Sequence, residues 1–280
     1  MTSDSSQTPD FAELLPIRDL IAESCGLYFD EKKLFFIEKR ITRRVKATNS
    51  ESIRNYFRLL KLGQNSQEMK ELISLLTTNE TYFFRNPLQL ASFVDEILPL
   101  ICSQKRERNK YQLNLWSAGC SSGEEPYTLA ILLREKIEDY ARWHVTIHAT
   151  DIDQHILGQA QKGLFDKRAF KEMPPAYLEK YFTSDNNKFQ ITPEISTSVS
   201  FNSLNLMDRK AIRSITDMDI VFCRNVLVYF DDKARTQVVN SLYDSLAPGG
   251  YIFLGESESI GKISATFKLV KLKNTLTYQK

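Results

Sequence analysis

A chain of 280 residues with 42% hydrophobic content can bury the core of one large domain or two ordinary ones, and two is the expectation. With 37 Lys and Arg against 35 Asp and Glu the formal charge is only +2, so any case for nucleic acid or an anionic membrane surface has to rest on a local patch. Cys25, Cys102, Cys120 and Cys223 lie far apart without a C-x-x-C pair, MTSDSSQTPD lacks the basic and apolar regions of a signal peptide, and the apolar stretch from Ile220 to Phe230 is far short of the ~20 residues of a membrane span. A cytoplasmic location with no membrane insertion is expected.

Residues 1–10 are polar and expected to be disordered. From 11 to 76 the periodicity is helical: Leu14, Ile17 and Ile21, then Leu34, Ile37, Ile41 and Val45, then Ile53, Tyr56, Phe57 and Leu60, then Met69, Leu72, Ile73 and Leu76 each line one helix face. Ser50 and Ser66 stand where N-caps belong, Gly26 and Gly63 where helices stop. Residues 77–110 read as a connecting segment, with a helix from Leu88 to Ser103 and a charged loop from Gln104 to Lys110. Beyond 111 the texture changes to strands at 112–117, 144–150, 198–204, 218–223 and 250–255, alternating with helices at 125–139, 153–162 and 232–246. That alternation predicts an α/β fold, a doubly wound, mostly parallel sheet filling 111–280. Thr266 to Tyr278 has the composition of an added antiparallel edge. Residues 164–198, with Met173-Pro174-Pro175 and Asp185-Asn186-Asn187, fit the alternation poorly and read as a small inserted β subdomain.

Gly119-Cys120-Ser121-Ser122-Gly123 satisfies the G-x-S-x-G pattern of a hydrolase nucleophile elbow. The triad of that fold requires a histidine after the acid, yet the only histidines are His144, His148 and His155, so Ser121 has no base. His144 and His148 have zinc-chelating spacing on a helix, but their stretch alternates like a strand, where four residues span about 13 Å. No metal site is expected. The string from Gly255 to Ile263, through Lys262, has the wrong spacing for a P-loop.

A small-molecule cofactor cradled by the first strand-to-helix turn remains. Gly119 and Gly123 would let the backbone approach a ligand, and Asp151, closing the second strand, would accept hydrogen bonds from ribose hydroxyls. Glu124 and Glu125 then discriminate between ligands: paired carboxylates repel a pyrophosphate and suit a cation such as the sulfonium and ammonium of S-adenosylmethionine. First-turn acids also favour a helix N-terminus by themselves, and these two residues alone do not decide.

Four strings do: Thr77-Thr78-Asn79-Glu80-Thr81-Tyr82-Phe83-Phe84-Arg85, Trp116 to Tyr127, Ala149-Thr150-Asp151-Ile152-Asp153, and Phe222-Cys223-Arg224-Asn225-Val226-Leu227-Val228-Tyr229-Phe230. In this order, behind a helical N-terminal region, they resemble the CheR family of chemotaxis receptor glutamate O-methyltransferases over nearly the whole chain from residue 14. The resemblance implies a Rossmann-like S-adenosylmethionine-dependent methyltransferase domain, with S-adenosylhomocysteine as product, behind an all-α domain. It implies that Asn79, Thr81 and Arg85 contact the cofactor, that Glu125 with Glu124 beside it lies near the methionine ammonium, Asp151 on the ribose, Asn205 and Leu206 beside the adenine, and that Arg224 and Asn225 close the pocket.

For the reaction so implied, Arg85 and Tyr229 are the candidates to aim the substrate carboxylate, since a guanidinium fork and a phenol can hold it without removing a proton. Between Gly26 and Leu62 ten basic residues face four acidic ones, with Lys39, Arg40, Arg43, Arg44 and Lys46 in one helix. Its apolar face leaves them free to turn outward toward acidic chemoreceptor helices. The same patch keeps a nucleic-acid methyltransferase as the alternative, although Arg224-Asn225-Val226-Leu227 stands where amino methyltransferases carry an Asn/Asp-Pro-Pro-aromatic string; no nucleic-acid partner is expected. Some members tether a C-terminal receptor pentapeptide on the inserted subdomain. Here the stretch from Tyr181 to Asn205 looks shorter, with Asp185-Asn186-Asn187 in place of the usual loop glycines, so a pentapeptide-independent enzyme, working as a monomer, is expected.

Overall fold

The computed structural model describes residues 11–63, 67–261, 263 and 266–280. The expected disordered tail at 1–10, the proposed N-cap Ser66 and Lys262 lie outside the described residues. The chain divides into two compact units, one comprising residues up to Thr77 together with Tyr229–Asp231, the other Thr78–Val228 with Asp232–Lys280.

The helical unit holds α1 (Leu15–Cys25), α2 (Leu34–Ala47), α3 (Ile53–Leu62) and α4 (Gln67–Leu76). Ile17, Ile21, Ile37, Ile41, Tyr56, Leu60, Leu72 and Leu76 form its buried interior, as the helical periodicity requires. Gly26 ends α1 in the left-handed conformation, φ 79°, where a Cβ would be strained. The cap of α3 is Ser52 rather than Ser50: the Ser52 hydroxyl accepts from the Asn55 N–H at 3.1 Å, whereas Ser50 pairs with the Thr48 hydroxyl. Not all five basic residues of α2 turn outward. Arg44 forks onto Glu68, at 2.9 and 2.5 Å, and that carboxylate also accepts from the buried Tyr56 hydroxyl. Arg40 lies 3.4 Å over the Phe36 ring and donates to the Leu75 and Phe36 carbonyls. Lys39, Arg43 and Lys46 remain exposed, at the i, i+4, i+7 spacing of one helix stripe.

The larger unit begins with a helical run from Pro87 to Glu107: α5 (Pro87–Ser92), a π-helical turn (Phe93–Ile97) and α6 (Leu98–Glu107). The helix therefore extends through most of the expected charged loop. Pro99, in the first turn of α6, has no N–H to donate back into the preceding turn, and the π turn sits just before it. Next come β1 (Gln112–Ala118), α7 (Glu124–Lys136), β2 (His144–Asp151), α8 (Gln154–Lys162), β3 (Leu164–Asp166), α9 (Pro175–Tyr181), β4 (Phe182–Asp185), β5 (Lys188–Ile191), α10 (Pro193–Ser196) and β6 (Val199–Ser203). Then follow α11 (Arg209–Ile212), β7 (Met218–Cys223), α12 (Asp232–Ser245), β8 (Leu246–Leu254), β9 (Lys268–Lys271) and β10 (Leu276–Gln279).

Seven strands form one sheet in the order β6-β2-β1-β7-β8-β10-β9. Strands β6, β2, β1, β7 and β8 pair in parallel, while β10 runs antiparallel to both β8 and β9. The C-terminal stretch thus supplies two strands, and the antiparallel one lies inside the sheet rather than at its edge. Central β7 is buried at every position, as a parallel strand covered on both faces must be. The inserted region forms a separate antiparallel sheet, β3-β5-β4. Its β4–β5 hairpin turns on two residues, Asn186 (φ 48°) and Asn187 (φ 61°), both in the left-handed region that a type I′ turn demands and asparagine tolerates.

Candidate active site

The candidate residues Gly119, Glu124, Glu125, Asp151, Asn205, Arg224 and Asn225 lie at or just beyond the C-terminal ends of β1, β2, β6 and β7, where open α/β sheets hold ligands. After β1 the chain turns through Gly119 (φ 85°), Ser121 (φ 50°) and Gly123 (φ 97°) before entering α7. Both glycines also have close protein neighbours. A Cβ on Gly119 would stand 2.3 Å from Val226 Cγ2 and one on Gly123 3.0 Å from Ala160 Cβ, so their bareness admits neighbouring protein elements.

Asp151 fastens this turn. One carboxylate oxygen accepts the Ser121 N–H at 2.8 Å and the other the Asp153 N–H at 3.0 Å, while the Asp151 carbonyl accepts the Leu204 N–H. Burial pushes the Asp151 carboxyl above its ordinary value, against the lowering effect of those N–H donors. Asp153 caps α8 and accepts the Asn79 amide at 2.9 Å, and the Ser121 hydroxyl reaches the Asn79 carbonyl at 3.3 Å. Ser121 is thus a linker between segments, with its N–H and hydroxyl both engaged. Asn205 accepts the Met207 N–H at 2.9 Å, and Leu206 is buried beside it.

The two glutamates of α7 part company. Glu124 is buried, accepts the Ser122 hydroxyl at 2.7 Å, and is pushed above its ordinary pKa by burial. With Asn79, Thr81 and Tyr82 it shares the wall of a cleft of about 510 Å³. Glu125 turns toward β1 and β7: Oε1 accepts the Ser117 hydroxyl at 2.7 Å and Oε2 lies 3.2 Å from Arg224 Nη1. Arg224 is 3% exposed at its side chain, and its Nη2 donates to the Arg85 carbonyl at 2.7 Å. Burial lowers the Arg224 pKa and the Glu125 charge counters that. Arg85 is half-buried as a residue; its guanidinium donates through Nη1 to the Glu80 carbonyl at 2.8 Å and stands 5.7 Å from the Tyr82 ring centroid.

Asn79, Ser121, Asp151 and Asp153 join through hydrogen bonds, as do Arg85, Ser117, Glu125 and Arg224, while Gly119, Glu124, Asn205, Leu206 and Asn225 adjoin these groups along the chain and Thr81 lines the cleft. Tyr229 falls with the helical unit, where its carbonyl accepts the Tyr28 N–H at 2.8 Å. Sequence reasoning missed Ser117, the partner of Glu125, and the link from Asp153 to Asn79. It also missed Glu258, which accepts the Asn225 and Gly255 N–H groups. Asp153 and Glu258 stood inside strings already singled out, and that was their only signal.

The chemistry of this donor set fits the sulfonium cofactor expected from the sequence. Three carboxylates, Glu124, Glu125 and Asp151, accompany two guanidiniums, an excess of negative charge that suits a cation. Within this set two buried polar atoms also lack partners among the described residues, the acceptor Asn225 Oδ1 and the donor Arg224 Nε.

Comparisons with known proteins agree. Residues 12–77 match the CheR methyltransferase all-alpha domain and residues 79–276 the CheR methyltransferase SAM binding domain. The chain is 39% identical over 264 residues to chemotaxis protein methyltransferase 2 of Vibrio cholerae, covering 94% of this chain and 91% of that protein. It is 34% identical over 250 residues to the chemotaxis protein methyltransferase of Borreliella burgdorferi, covering 89% and 88%, and 31% identical over 258 residues to that of Salmonella typhimurium, covering 90% and 85%. The chain belongs to the CheR methyltransferase family, an S-adenosylmethionine-dependent methyltransferase of chemotaxis.

Proposed function

We propose that the protein methylates glutamate carboxylates of chemoreceptors, forming glutamate methyl esters. The observation that carries this reading is Arg85. Its backbone carbonyl accepts from the buried Arg224, while its guanidinium, among the described residues, makes a hydrogen bond only through Nη1 to the Glu80 carbonyl, which leaves the rest of the fork for a substrate carboxylate.

When bound, S-adenosylmethionine supplies a methyl group made electrophilic by its sulfonium. A glutamate with an ordinary pKa of about 4.3 is already ionised at neutral pH, so no residue of the chain has to act as base. The work of the chain is geometric. Holding the carboxylate in line with the methyl group can lower the barrier by up to roughly 7–11 kcal/mol, and Arg85 is the residue that aims it. Tyr229, through its hydroxyl, is the second. Arg85 must not bind too tightly, because the carboxylate loses charge as it is esterified and a stronger ground-state ion pair would slow the step. In this reading Asn79, Thr81, Arg85, Gly119, Glu124, Glu125, Asp151, Asn205, Leu206, Arg224 and Asn225 bind the cofactor, the acids complementing its cationic end.

The exposed stripe Lys39, Arg43 and Lys46 of α2 is the surface proposed for acidic receptor helices. The minimal Asn186-Asn187 hairpin supports an enzyme that works without a receptor pentapeptide. Four free, buried cysteines suit a reducing compartment, the cytoplasm. Peptide mapping by mass spectrometry of a receptor cytoplasmic fragment, after incubation with enzyme and cofactor, tests the substrate assignment: methyl groups are expected on glutamates, and methylation confined to other side chains would overturn it.

A further inference from the structure

Beyond β7 the chain must leave a fully buried strand and within a few residues present Arg224 and Asn225. Asn225 does so with φ 58°, in the left-handed region, and something must hold that turn. Glu258 supplies three contacts to it and its neighbour. Its Oε2 accepts the Asn225 N–H at 2.8 Å and the Gly255 N–H at 2.7 Å, and its Oε1 accepts the Val228 N–H at 3.2 Å. The Glu258 N–H in turn donates to the Gly255 carbonyl at 2.9 Å, closing the turn that aims the carboxylate. Gly255 is bare for a reason: a Cβ there would stand 2.8 Å from Glu258 Oε2 and 2.9 Å from the Asn225 nitrogen.

We propose that Glu258 is a positioning residue for methyl transfer, its carboxylate clamping the backbone from Asn225 to Val228 and so setting the aim of Arg224 and Asn225 at the cofactor. This rests on the reading that Arg224 and Asn225 bound the cofactor pocket. A carboxylate is needed because it offers acceptors on both oxygens; an amide would turn an N–H₂ against one of the backbone N–H groups.

The test uses the full chain and the variants Glu258→Ala, Glu258→Gln, Gly255→Ala and Asn225→Ala. Glu96→Ala is the control, since Glu96 also accepts a backbone N–H, that of Lys273, at 3.0 and 3.3 Å. Calorimetric affinity for S-adenosylhomocysteine and separate KM values for cofactor and protein substrate are measured. Glu258→Ala weakens cofactor binding about tenfold or more, Glu258→Gln less, and Gly255→Ala reproduces the loss without removing a charge. The KM for cofactor rises more than that for the protein substrate, and Glu96→Ala changes neither. Should Glu258→Ala fail to fold, Glu258→Gln and Gly255→Ala decide the matter. If Asn225→Ala leaves cofactor affinity unchanged, the pocket reading falls and the proposal with it. If Asn225→Ala weakens binding while Glu258→Gln and Gly255→Ala do not, the role of Glu258 alone is overturned.

Discussion

Replacing Glu125 by Gln removes the counter-charge from a guanidinium nearly sealed from water. The side chains are 3% exposed for Arg224 and 14% for Glu125, and beyond this pair Arg224 has, among the described residues, only the Arg85 carbonyl for Nη2 and no acceptor for Nε. Breaking a buried pair by removing one partner costs about 3–5 kcal/mol, because the remaining charge is left uncompensated. The residual exposure of Glu125, and the Ser117 hydroxyl that Gln can still accept, put Glu125→Gln near the lower end, about 3 kcal/mol. Arg224→Met leaves a carboxylate that keeps Ser117 and some water, and costs about 2 kcal/mol. In the double variant neither orphaned charge remains, so a coupling energy of about 2 kcal/mol is expected from the cycle. Both tryptophans of the chain, Trp116 and Trp143, belong to the larger unit, so fluorescence-monitored urea unfolding reports that unit alone. The midpoint shifts with m unchanged. A coupling below about 0.5 kcal/mol would refute the reasoning, since independent sites add to that accuracy.

Burial raises the Glu124 pKa above its ordinary 4.5, so the folded state holds that proton more tightly than the unfolded chain; the associated stability is full below pH 4.5 and is lost as pH rises through the raised folded value. The Tm advantage of Glu124→Gln over the parent is therefore expected to grow as pH rises from 4.5, and a constant difference would contradict it. Gly119→Ala combines a left-handed φ with a 2.3 Å approach to Val226 and is expected to cost about 2–4 kcal/mol, of which Val226→Ala in the same chain recovers only the steric part. Arg85→Ala is expected to lose most of its turnover while its unfolding midpoint stays near that of the parent, and Tyr229→Phe to lose less; near-full methylation by Arg85→Ala would remove it from the site. Charge reversal at Lys39, Arg43 and Lys46 is expected to weaken receptor methylation and flatten its salt dependence with cofactor affinity intact, which paired assays at two ionic strengths check.

The sequence was most legible where one physical cause acts over a short stretch. Helix faces in 11–76, the buried parallel strands and the turn from β1 into α7 follow from periodicity and from residues with few conformational options. The Ser50/Ser52 error is of a different kind: both serines can cap, and only tertiary packing chooses. The π turn at Phe93–Ile97 and the extension of α6 through Glu107 were hidden because Pro99 interrupts the N–H ladder without ending the helix. Arg40 and Arg44 read as solvated because nothing local announces Glu68, 24 residues beyond Arg44, or the Leu75 carbonyl, 35 beyond Arg40. The site shows the same division. Most of its candidate residues stand in the quoted strings, Asn205 and Leu206 excepted, but the contacts among them were not legible, since Glu125 meets Arg224 across 99 positions and Asn79 meets Asp153 across 74. Pairings of that length are set by strand order, and the antiparallel β10 lying inside the sheet shows that this order was not fully readable either.

The most direct test of the central assignment is the chemistry of the product. A receptor cytoplasmic fragment is incubated with the enzyme and methyl-labelled S-adenosylmethionine, treated with base, and the volatile label is collected. Glutamate methyl esters predict release of labelled methanol, lost in the Arg85→Ala enzyme. Label that stays on the receptor through base treatment, or that appears only when nucleic acid is supplied instead, would contradict the account.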